Sequence, residues 1–157
     1  MSWFNYIGFA AIVLILVPNA IYAKKNPNGF QNVYRNKAME IGEQIGRYGC
    51  FLLMIFNLPE TWFGFWFDGA FTVYAVGTAV LVALYLLGWI TCWNRHFLFR
   101  AYALSVLPSV LFLFTGILLR NVPLSVCACI FAPCHITISV KNACLEGKNK
   151  AEPKQKA

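Results

Sequence analysis

Apolar residues run in five long blocks along this chain, and polar residues collect in the gaps between them. The blocks are Trp3–Ala23, Ile41–Leu58, Ala70–Cys92, Phe97–Leu119 and Val122–Val140. A helix needs about 20 residues, at ~1.5 Å each, to cross ~30 Å of hydrocarbon. Each block therefore predicts a membrane-spanning helix, and the chain an all-α, polytopic bundle of five. The second block is the weakest. Glu43 and Arg47 lie in its first two turns, and its purely apolar part, Tyr48 to Leu58, is too short to cross alone. Charged side chains near a helix end can snorkel to the interface, so the block still reads as a span.

Charge placement orients these spans. Lys24, Lys25, Arg35 and Lys37 follow the first block, and Arg47 opens the second. Arg95 and Arg100 separate the third and fourth, and Lys141, Lys148, Lys150, Lys154 and Lys156 follow the fifth. Arg120 alone falls in the other class of gap. Five crossings put the first group on one side, which the positive-inside rule makes cytoplasmic. The N-terminus is then expected outside and the C-terminus inside. Four crossings, without the second block, would set Arg95 and Arg100 opposite Lys24 and Lys25. The charges thus support the second span independently of its hydropathy. The first block has no positive leading region and no clear small-x-small site, so it is expected to remain as a span.

Composition agrees. Hydrophobic residues make up 59% of the 157 and charged residues 12%, against about 25% in a soluble domain. Lipid must be the solvent for much of the surface, and a multi-pass protein of the cell membrane is expected. The net charge of +7 follows the topology rather than a nucleic-acid surface. The expected division is one transmembrane domain, 1–145, and a basic, unstructured cytoplasmic tail, 146–157, attracted to anionic lipids of the inner leaflet. The Asn26-Pro27-Asn28-Gly29 stretch predicts a turn. The aromatic stretch from Trp62 to Phe67 predicts an interfacial outer loop.

Candidate chemistry concentrates in the second span. Gly42, Gly46 and Gly49 form one stripe, a close-packing seam of the Gly-x-x-x-Gly type. Glu40, Glu43, Gln44, Arg47 and Tyr48 predict a polar site near the inner face, with Glu43 and Arg47 in the favourable order for an ion pair four residues apart. Ionisable groups inside spans are costly and therefore point to function. His135, about two turns from the inner end of the fifth span, is expected at the same depth. Tyr74, Gly77, Thr78, Tyr85 and Gly88 in the third span, and Ser105, Ser109 and Gly116 in the fourth, are expected to face other helices. Pro108 is expected to kink the fourth.

Cys127, Cys129, Cys134 and His135 resemble a metal site as a string. On a helix, Cys129 lies about 160° from Cys127, so one helix cannot gather all four, and no metal or other cofactor is expected. Nucleotide loops, His-Glu-x-x-His and Gly-x-Ser-x-Gly are absent, and no span holds an Asp. The leading expectation is a solute or ion permease or channel-like subunit. The alternative is an accessory subunit that binds lipid or a partner protein, with a second copy of the chain as another possible associate. An enzyme acting on lipid headgroups ranks third.

Overall fold

The computed structural model describes residues 3–26, 33–93 and 97–151. It holds five helices: α1 (Tyr6–Lys25), α2 (Lys37–Ile55), α3 (Ala70–Cys92), α4 (Phe97–Leu118) and α5 (Val122–Ala151). No strand occurs among the described residues, only isolated bridges. Four of the helices, all but α2, are long and apolar enough to cross a membrane. By length and composition this is a multi-pass helical membrane protein.

Asparagine starts three of the helices, because its short amide accepts an otherwise unpaired N–H of the first turn. The Oδ1 of Asn5 accepts from Gly8 N–H at 3.1 Å, that of Asn36 from Met39 at 3.3 Å, and that of Asn121 from Leu124 at 3.0 Å. These caps move two predicted boundaries. α1 begins at Tyr6 rather than Trp3, and α2 at Lys37 rather than Ile41. α2 ends at Ile55 because Phe56 turns extended and pairs with Phe4. α5 continues past Val140 to Ala151, into the stretch expected to be a tail. The fourth helix runs unbroken through Pro108. Pro27-Asn28-Gly29 of the expected turn, Arg95, His96 and everything beyond Ala151 lie outside the described residues.

Contacts at the two ends define an up-and-down order. At the aromatic end, Asn5 N–H donates to Ile55 O and Asn57 N–H to Trp3 O, both at 2.8 Å, with the Trp3 and Phe56 rings stacked at 5.7 Å. The Asn5 amide donates to the Tyr74 hydroxyl at 2.8 Å, tying α1 to the start of α3. Trp62 bridges Asn121, and Trp66 Nε1 donates to Ile117 O at 2.6 Å. The guanidinium of Arg120, a non-glycine residue at φ 50°, rests over the Trp66 ring at 5.0 Å. At the basic end, Tyr34 N–H donates to Asn142 Oδ1 at 2.7 Å, and Lys141 Nζ to the Tyr34 hydroxyl at 3.4 Å. Hydrogen bonds from Asn36 and Lys141 favour the phenolate and hold the Tyr34 phenol below the usual tyrosine range.

Core packing follows from these ties. α5 packs most extensively on α4 and α2, α3 on α4, and α1 on α3. Tyr74, Thr78, Tyr85, Ser105 and Ser109 are buried, and Gly77 sits against the Phe114 ring. Inside the bundle Asn19 donates to the Tyr85 hydroxyl at 2.8 Å, which satisfies a mid-helix amide away from water. α2 packs closely on α5. A Cβ added at Gly46 would lie 2.8 Å from the Phe131 backbone nitrogen, whereas one at Gly88 would meet only Leu104 at 3.5 Å. Gly46→Leu should therefore destabilise the protein by about 1–3 kcal/mol. Gly88→Ala should be neutral or stabilise by up to ~1 kcal/mol, through helix propensity. Thermal unfolding in detergent checks the order of the two; equal effects would contradict the seam.

Candidate functional site

α2 fails the hydropathy test of a span because its average mixes three unlike faces. Gly42, Gly46 and Gly49 lie against α5, where added Cβ atoms would meet Cys134 Sγ at 3.1 Å, Phe131 Cβ at 2.8 Å and Cys127 Sγ at 2.6 Å. The order 42, 46, 49 against 134, 131, 127 is that of two antiparallel helices in close register. Glu43, Cys50 and Met54 form a second, buried face. The third face is Ile41, Ile45, Tyr48 and Leu52, exposed at 59, 61, 60 and 58%. Outward, then, α2 presents mostly aliphatic side chains, and Glu43 turns inward.

Glu43 is the centre of the polar face. Its side chain is 6% exposed, and its Oε1 accepts from two groups. Arg47, one turn along α2, donates through Nη2. His135 of α5 approaches the same oxygen with Nδ1 at 2.9 Å. The imidazole lies flat on Phe131, centroids 4.6 Å apart and planes at 17°, so its orientation is fixed from below as well as at Nδ1. Phe131 in turn meets Phe112 edge-on at 5.5 Å. The Arg47 and His135 side chains remain 33% and 22% exposed, so the buried carboxylate is reached through its two partners.

This arrangement fixes the proton inventory. Arginine stays protonated at any accessible pH and holds its neighbour as a carboxylate. A carboxylate only accepts hydrogen bonds, so the nitrogen facing it must carry the hydrogen. His135 therefore donates from Nδ1–H to the Glu43 carboxylate.

Of the other residues expected in this site, Glu40 and Gln44 line an open groove of ≈ 420 Å³ with Ile41, Glu43, Ile45 and Ile138. Tyr48 does not join them and stands on the outward face. Cys127 and Cys134 point at Gly49 and Gly42, while Cys129 is exposed. No group of three or more metal-ligating side chains is assembled among the described residues. Sequence reasoning did not find Phe131, although its spacing of four from His135 puts both on one face. It also did not find the Tyr34, Asn36 and Asn142 latch, which joins a loop to a helix and leaves no periodic signal.

A double-mutant cycle tests the cluster. Removing one member of a buried ion pair costs about 3–5 kcal/mol, and partial exposure of Arg47 and His135 lowers this to about 1–3 kcal/mol for Glu43→Ala. Glu43→Ala with His135→Ala should cost less than the sum of the single changes, read by denaturation in detergent; strict additivity would mean the contact carries nothing. Comparison of the chain with family models, with curated proteins and with solved structures gave no match.

Proposed function

We propose that the protein crosses the cell membrane five times and works as a small permease or channel-like subunit, with Glu43, Arg47 and His135 as its proton-handling group. The carrying observation is the buried Glu43 carboxylate shared by Arg47 and His135 between two helices. Glu43 stands six residues after Lys37 and His135 six before Lys141. Both lie about 9 Å from the basic end by helix rise. At that depth ionisable groups are expensive, and they are expected to line a path for ions or protons.

The end contacts of α2 support its crossing. It is anchored at the aromatic end by Ile55 and Phe56, and at the basic end Asn36 meets the Tyr34 latch on α5. Its 19 residues span about 28 Å. Its outward face is mostly aliphatic. With five crossings the lysines at the ends of α1 and α5 and the start of α2 share one side, inner by the positive-inside rule, and Arg120 lies outside. A C-terminal fluorescent-protein fusion should then fluoresce, and cysteines introduced at Glu60 or Asp68 should be labelled by an impermeant maleimide in intact cells. Labelling only after lysis would reverse the orientation.

The groove beside Glu43 opens toward the outward face of α2, the surface available to a second copy or a membrane partner. That observation also favours the accessory reading, in which the pathway is completed by another chain. Purified protein in vesicles separates the two. Under an imposed pH gradient it should conduct above empty vesicles, and Glu43→Gln and His135→Ala should return the flux to background. Background flux from the wild-type chain, regained when a co-purifying partner is added, would assign the accessory role instead.

A further inference from the structure

At the basic end, α1, α3 and α4 converge on a second cluster, separate from Glu43. Tyr22 is buried and packs against Trp89 at 5.1 Å and edge-on against Trp93 at 5.5 Å. Two cations rest on these rings. Lys25 Nζ lies 5.6 Å from the Trp93 centroid, and the Arg100 guanidinium carbon 4.8 Å from that of Tyr22. A ring face positions a cation and attracts it without neutralising its charge. α1, α3 and α4 contain no Asp or Glu along their whole lengths. The three helices thus bring positive charge to one place and no negative charge of their own.

The surroundings are those of a membrane surface. Tryptophan at the end of a span belongs at the headgroup level. Val17 and Ile21 precede Lys25 at steps of four, hence on one stripe of α1, and are 48 and 45% exposed. That stripe is an apolar strip that leads directly to the charged head of Lys25. A ligand matching both parts has an anionic oxygen-rich head and an aliphatic tail.

We propose that Lys25 and Arg100, set on Trp93 and Tyr22, bind the phosphate of an anionic phospholipid, whose acyl chains lie along Val17 and Ile21. Arginine supplies several donors to phosphate oxygens and lysine a point charge. A choline headgroup would place its own cation against both and is disfavoured. The site depends on the membrane reading but not on proton handling at Glu43, and either can fail alone.

The full-length protein in mixed detergent–lipid micelles tests it, with labelled phosphatidylglycerol and phosphatidylcholine as probes. Phosphatidylglycerol should bind in preference. Lys25→Gln should weaken it about fivefold, and Lys25→Gln with Arg100→Gln about twentyfold. Lys37→Gln with Lys141→Gln, an equal loss of charge at the same end, should change binding less than about twofold. Three results would overturn the site: equal retention of phosphatidylcholine, an equal loss in the Lys37/Lys141 variant, or displacement of the lipid by inorganic phosphate at equal concentration. Should the double variant not fold, Lys25→Gln alone decides, because that side chain is exposed.

Discussion

The close approach of α2 to α5 is the contact on which the polar interior depends. Glycine at 42, 46 and 49 lets the two backbones come within reach of each other, with thiols and a phenylalanine backbone filling the space that side chains would otherwise occupy. Only at that separation can a glutamate on one helix meet a histidine on the other at hydrogen-bond distance. Dispersion and backbone contact do this work where the hydrophobic effect between helices is weak. The seam is thus both a packing device and the frame of the ionisable cluster.

Away from that seam, the polar ties between helices inside the bundle are made by asparagine and tyrosine. Asn5 caps α1 and binds Tyr74; Asn19 binds Tyr85; Asn121 caps α5. An amide both donates and accepts, so one side chain can close a helix end and reach across to a neighbour. Uncharged partners achieve this without the desolvation cost of ions. Charge is confined to the basic end, to Arg120, to the loop acids and to the one cluster at Glu43.

Four of the helices could be read from the sequence because lipid demands length and apolarity together, and α2 because its block, though weaker, lies between clear polar gaps. α3 was placed to the residue, ending where the apolar run ends. α1 and α2 begin at Tyr6 and Lys37, away from the edges of their apolar blocks, because Asn5 and Asn36 act as caps. That Glu43, Arg47 and His135 share a depth followed from the charge asymmetry. That Glu43 and His135 touch did not, since the glycine spacing announces a close neighbour without naming it. Tyr48 shows the converse: adjacency to Arg47 along the chain says little about direction, because one residue turns the helix by about 100°. Contacts between distant loops and helices, such as Tyr34 with Asn142, carry no sequence period at all.

The inward turn of Glu43 has a consequence for biosynthesis. His135 is 92 residues further along the chain than Glu43, so the partner does not exist when α2 leaves the ribosome. A helix with an acid and an arginine in its middle turns is a poor substrate for insertion on its own. Synthesis of α5 then supplies both the glycine-matched surface and the imidazole, and only with these does α2 have a complete set of neighbours. α5 in this sense completes α2, and a chain truncated before α5 would leave Glu43 and the glycine seam without their neighbours.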